Sequence, residues 1–197
     1  MSGDSVELTL RDGTAVQIRP IRPGDRGALE RGFQRLSERS RYTRFLAPME
    51  RLSTSMLTYL TDVDHHDHEA LIAIDPDSGD VIGVARYVRT DGTAAEAAVT
   101  VADQWQGDGL GTGLTSLLAE RGLEEGIDRF TALLLTENKD MIGLLESLGQ
   151  VKIIRQGAGT MEVEVPLEPE RPGAGKGLYA LLRAARRVAA AARAAVE

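Results

Sequence analysis

The segment Val99-Thr100-Val101-Ala102-Asp103-Gln104-Trp105-Gln106-Gly107-Asp108-Gly109-Leu110-Gly111-Thr112-Gly113 carries a β-compatible run into a glycine-rich turn that opens a helix. Leu110, Leu114, Leu117 and Leu118 then recur at the i, i+4, i+7, i+8 spacing of one buried helical face. Glycine lets a backbone approach a ligand closely, and the first N–H groups of a helix lack internal partners while carrying the positive end of its dipole. Such a turn is an anion site, most naturally for phosphate or pyrophosphate. A Walker loop is not formed, because Gly111 leads into Thr112-Gly113-Leu114 with no lysine. The G-x-G-x-x-G dinucleotide fingerprint is matched only loosely and belongs in a parallel βαβ unit. The plainer alternative is that the glycines merely cap a tight strand-to-helix turn.

Upstream, Val6–Leu10 and Ala15–Pro20 read as short strands around Asp12-Gly13. Helical patterns follow from Gly24-Asp25 (Ala28, Leu29, Phe33, Leu36), from Ser37 (Tyr42, Phe45, Leu46) and from Ser53 (Met56, Leu57, Leu60). The apolar runs 69–74 and 81–88 flank the turn Asp75-Pro76-Asp77-Ser78-Gly79-Asp80 and form an antiparallel pair, and a third run covers 94–102. After the helix 110–125 come a buried strand 130–135, an amphipathic helix 138–148 ended by Gly149, and a hairpin of 151–154 with 161–165 over Gly157-Ala158-Gly159. The order β, helices, βββ, α, β, α, ββ predicts an α/β (α+β) domain over residues 1–166. Its central sheet is mixed, mostly antiparallel and flanked by helices. Residues 167–177 read as a Pro/Gly-rich linker and 178–197 as a basic Ala/Arg-rich helix, a C-terminal extension.

The 197 residues suit one main domain, and the 42% hydrophobic content suffices for its core. No apolar run spans a membrane and no secretory leader is seen, so a cytoplasmic location is expected. The absence of cysteine excludes thiol nucleophiles and cysteine-bearing metal sites. The net charge of -7 argues against nucleic-acid binding, yet it hides an asymmetry: residues 171–197 hold six basic groups and one acid, against an acidic body.

Taken with this order of elements, the chain resembles the GNAT superfamily of acetyl-CoA-dependent N-acetyltransferases. Gln106-Gly107-Asp108-Gly109-Leu110-Gly111 is similar to the family's Q/R-x-x-G-x-G/A pyrophosphate loop, and Leu144-Leu145-Glu146-Ser147-Leu148-Gly149 resembles its "LYEKLGF" segment. Ile18-Arg19-Pro20-Ile21-Arg22-Pro23-Gly24-Asp25 and Leu36-Ser37-Glu38-Arg39-Ser40-Arg41-Tyr42-Thr43-Arg44-Phe45 narrow the resemblance to the catalytic domain of bacterial Pat-type protein lysine acetyltransferases. The resemblance implies acetyl-CoA as co-substrate, no metal, and a primary-amine acceptor, preferably a protein lysine. A small-molecule amine and a non-catalytic acetyl-CoA sensor are the alternatives. It further implies that the backbone of Val99, Thr100 and Val101 pairs with the pantetheine arm, that Gln106 to Thr112 (Gln106, Gly107, Asp108, Gly109, Leu110, Gly111, Thr112) cradle the pyrophosphate, and that Asn138 contacts the cofactor.

An amine is almost wholly protonated at neutral pH and needs a base. Glu96, the one acid on the strand Ala94–Val101, is the candidate, with partial burial expected to raise its pKa. A solvent-facing strand-start residue is the competing view. Leu145 stands where many relatives carry a tyrosine general acid, and leucine cannot donate a proton.

Three features have plain and functional readings side by side. His65, His66 and His68 lie in an acidic turn that suits a metal, a substrate-side loop or simple solvation. Arg39, Arg41 and Arg44 line an acceptor groove or flank a solvated helix. The basic tail helix docks on its own domain, on a second copy as a homodimer, or on an anionic partner.

Overall fold

The computed structural model describes residues 5–168. The expected linker and tail helix lie outside these residues, apart from Leu167 and Glu168. Leu167 is still part of the domain: its side chain is buried and its N–H donates to Asp128 O at 2.7 Å.

Eight strands form one sheet: β1 (Val6–Thr9), β2 (Ala15–Pro20), β3 (His68–Ile74), β4 (Val81–Asp91), β5 (Ala94–Val101), β6 (Arg129–Leu135), β7 (Lys152–Gln156) and β8 (Thr160–Pro166). Their spatial order is β1-β2-β3-β4-β5-β6-β8-β7. Every neighbouring pair is antiparallel except β5 and β6. This is the mixed, mostly antiparallel sheet that the residue pattern predicts. β4 runs three residues past the expected end at Val88, through a register shift between Arg89 and Asp91.

Among the described residues five α-helices cover the sheet: α1 (Arg26–Gln34), α2 (Glu38–Phe45), α3 (Thr54–Thr61), α4 (Leu110–Glu124) and α5 (Lys139–Glu146). Ser37 and Ser53 cap α2 and α3, accepting from Ser40 N and Met56 N as their position before the helical pattern predicts. Strand alternation divides β4 between two layers. Gly83, Ala85 and Tyr87 face α4, and Val84 and Arg86 face α1–α3, where Arg86 Nη2 donates to Leu60 O at 2.9 Å. Leu110, Leu114, Leu117 and Leu118 are all buried.

Close approach of α1 to the sheet depends on Gly32, since a Cβ there would lie 2.1 Å from Val81 O. Backbone cannot yield as a side-chain tip does. Gly32→Ala is therefore expected to destabilise the domain by about 1–3 kcal/mol, read as a lower urea midpoint with an unchanged m-value.

Candidate active site

β5 and β6 pair only through Ala94–Arg129, Ala95–Phe130 and Glu96–Thr131, although β5 continues to Val101 and β6 to Leu135. Their outer edges stay paired to β4 and β8 along these lengths. The sheet therefore opens as a fork from Glu96 onward. Ala102 N donates to Ile82 O at 2.8 Å, on the β4 side. Alternation then turns the N–H groups of Val99 and Val101 to the open edge and that of Thr100 to β4. Gln106 Nε2 donates to Val101 O at 2.9 Å, which ties the loop to the end of the fork.

The loop enters α4 through Gly107 (φ 91°) and Gly109 (φ 93°), both in the left-handed region where glycine is unstrained. Gly109 is the N-cap and no side chain caps the helix. The first helical bond is from Gly113 N to Gly109 O at 2.9 Å, so the N–H groups of Leu110, Gly111 and Thr112 precede the ladder. Arg11, in the β1–β2 turn, braces the loop: its N donates to Asp108 O at 3.0 Å and its Nη1 to Gly107 O at 3.2 Å. It brings a cation to the rim, and nothing in the local sequence marks it. Thr136 Oγ1, just beyond β6, and Trp105 Nε1, just before the loop, are buried without hydrogen-bond partners among the described residues. An elongated ligand with amides along its length and a diphosphate at one end fits these features. Asn138 has committed its Oδ1 to Met141 N at 3.1 Å as the cap of α5, which leaves its NH₂ for a ligand.

Glu96 stands at the fork, on the same face as Ala98 and Thr100 and beneath α2. Its side chain is exposed, not partly buried as expected. Alternation sends it to the α1–α3 face, but the helices cover the neighbouring rows more fully than this one. The cation it meets is Arg44 of α2, whose guanidinium it attracts. Of the three arginines noted in the sequence, Arg39 is exposed and Arg41 is structural, donating to Glu50 O at 3.2 Å and Gln34 O at 2.8 Å. Arg44 lines a cleft.

Leu145 is 1% exposed, a core residue of α5, so no proton donor stands at that position. The histidine turn is pinned rather than freely solvated. His65 Nδ1 lies 2.7 Å from Glu69 Oε1, and His66 pairs with Glu125 at the end of α4. The hydrogen bond to Glu69 outweighs desolvation and raises the His65 pKa. His68 points elsewhere: burial and the nearby Arg86 lower its pKa, and its Nε2 accepts from Arg86 Nη1 at 3.1 Å. Arginine has no acceptor, so His68 carries its proton on Nδ1. Among the described residues no group of three or more His, Asp or Glu is arranged to hold a metal, and no helix is long and apolar enough to cross a membrane.

Comparison with known proteins agrees with this geometry. Residues 33–150 match the acetyltransferase (GNAT) family. The chain is 33% identical over 166 residues to Acetyltransferase Pat of Mycolicibacterium smegmatis, covering 83% of this chain and 49% of that protein. It thus spans about half the length of that relative. It is 32% identical over 154 residues to Acetyltransferase PA5475 of Pseudomonas aeruginosa, covering 77% of this chain and 83% of the relative. The crystal structure of the GNAT domain of S. lividans PAT superposes with a TM-score of 0.77 at 31% identity, over 83% of this chain and 97% of that one. The forked sheet, the uncapped helix N-terminus and these relatives agree that the chain belongs to the GNAT acetyltransferase family.

Proposed function

We propose that the chain transfers acetyl from acetyl-CoA directly to a primary amine, with Glu96 as the general base and a protein lysine as the acceptor. The observation that carries this is the fork, which opens at Glu96 and ends above the free N–H groups of α4. In this scheme the Val99 and Val101 edge receives the pantetheine amides, and Gln106 to Thr112 hold the pyrophosphate. Thr100 contributes its side chain to the opposite face. Glu96 removes a proton from the ammonium, directly or through water. The freed lone pair forms the C–N bond at the thioester carbonyl, the C–S bond breaks, and CoA leaves as thiolate. A thiol with a pKa near 8.5 is a fair leaving group, so the transfer proceeds without a proton donor at Leu145. The lysine acceptor follows from the likeness to Pat-type enzymes, and the acidic body suits a cationic substrate.

The test is CoA release and mass-spectrometric acetylation over a panel of lysine-bearing proteins and simple amines. Acetylated protein lysine supports the proposal. Acetylation of free amines alone moves the acceptor to small molecules, and acetyl-CoA binding without any release overturns transfer. Gly109→Val, which forces a β-branched residue to φ 93°, is expected to weaken acetyl-CoA binding by calorimetry by roughly tenfold or more.

A further inference from the structure

Between α1–α3 and strands β4–β5 lies a cleft, partly open to solvent, walled by Phe33, Leu36, Leu52 and Leu60. Two guanidinium groups line it, Arg44 and Arg86. Arg86 is 5% exposed, and its bonds go to a neutral histidine and a backbone carbonyl, not to a carboxylate. Arg44 rests over the Phe45 ring at 5.0 Å and, among the described residues, makes no hydrogen bond or ion pair. The two cations are close enough to repel: burial first, and then Arg44, pull the Arg86 pKa down to about 9. Glu96 attracts Arg44 from the next rows of the sheet, but it does not bond to it.

Two like charges in an apolar cleft are costly unless an anion joins them. Elsewhere in this domain buried arginine is compensated: Arg121 binds Glu69, Glu124 and Glu125. Among the described residues no such carboxylate bonds to Arg44 or Arg86. Guanidinium groups bind planar carboxylates through paired N–H donors, and the aliphatic and aromatic walls suit an apolar stem. From these contrasts we infer that the cleft is a binding site for a small organic carboxylate on an apolar stem, its head held by Arg44 and Arg86. The floor places the site beside the proposed base. Arg86 pairs with Ala98 across β4–β5, and Glu96 lies one two-residue step of about 7 Å further along β5. The carboxylate therefore belongs either to the amine acceptor itself or to a separate molecule seated next to it. Only the link to acetyl transfer rests on the function proposed above; binding does not.

The probes are hexanoate and its neutral analogue hexanamide, titrated calorimetrically into the full chain. Hexanoate is expected to bind and hexanamide to bind roughly 10- to 100-fold more weakly, as loss of a charged hydrogen-bond partner predicts. Arg44→Gln is expected to erase that preference, and Arg86→Lys to reduce it. A melting temperature near wild type shows that the Arg44→Gln chain is folded. No binding of hexanoate, equal binding of the two probes, or unchanged preference in folded Arg44→Gln overturns the inference. Acetyl-transfer assays then separate the sources. Competition by hexanoate against the amine, with 6-aminohexanoate preferred over hexylamine, assigns the carboxylate to the acceptor; inhibition or activation without competition assigns it to a second molecule. If no amine is acetylated but hexanoate still binds through Arg44, the site stands and the proposed activity falls.

Discussion

Glu96→Gln is expected to lower kcat/KM at neutral pH by about 10²- to 10⁴-fold, the range a positioned general base contributes, with the acetyl-CoA affinity unchanged. The substitution is nearly isosteric and the side chain is exposed, so the fold has little to lose. The sharper readout is the pH profile. Without the base, the reaction must wait for amine already deprotonated in solution. The variant's rate should then climb tenfold per pH unit toward the lysine pKa of about 10.4, narrowing its deficit against wild type. A merely structural glutamate would give a deficit independent of pH. Turnover within a few fold of wild type from pH 7 to 10 would remove Glu96 from the chemistry. Because Glu96 is open to solvent in this structure, desolvation by bound substrates, not by the fold alone, has to complete the environment of the base.

What the sequence made legible follows from local rules. The loop 99–113 is a strand, a turn and a helix start, each with its own signature, and the leucines of α4 lie on the buried face that their spacing predicts. The turn at Asp75–Asp80 likewise closes the β3–β4 pair. The fork was out of reach, because lateral pairing between β5 and β6 ends for geometric reasons that neither strand's pattern contains. Alternation assigned Glu96 a face but not the cover over that face, hence the wrong expectation of burial. Arg86 sat unremarked inside an apolar run, and its partners His68 and Leu60 come from distant segments. Arg11 reaches the loop across 96 positions of chain, and no spacing signal spans such a distance.

Replacing Arg121 by methionine should cost about 3–5 kcal/mol in urea unfolding, the range for breaking one partner out of a buried ion pair. Arg121 Nε donates to Glu69 Oε2 at 3.2 Å, and Glu69 is 1% exposed. Its other nitrogens reach Glu124 at 2.6 Å, Glu125 at 2.9 Å and His65 O at 3.1 Å. These acidic partners outweigh desolvation and raise the Arg121 pKa, so the guanidinium is charged at every accessible pH. Methionine matches the stem but removes the cation from Glu69 Oε2, while Oε1 keeps His65 Nδ1 and Ala70 N. The penalty should shrink in the double variant Arg121→Met, Glu69→Gln, which removes the uncompensated charge along with its partner. His65 adds a pH-dependent share in wild type. Its folded pKa is raised, so its contribution is fully present below its unfolded value near 6.5 and is lost as pH rises through the folded one. At 38% side-chain exposure that share is small beside Arg121. The consequence extends to the cleft, because Arg121 holds the carbonyl of His65 and, through Glu69, the turn that carries His68 beneath Arg86. Arg121→Met should therefore weaken hexanoate binding in step with its loss of stability, whereas Arg44→Gln weakens binding with the fold intact. A large stability loss with the cleft unaffected would show that the turn and the arginine pair are energetically separate.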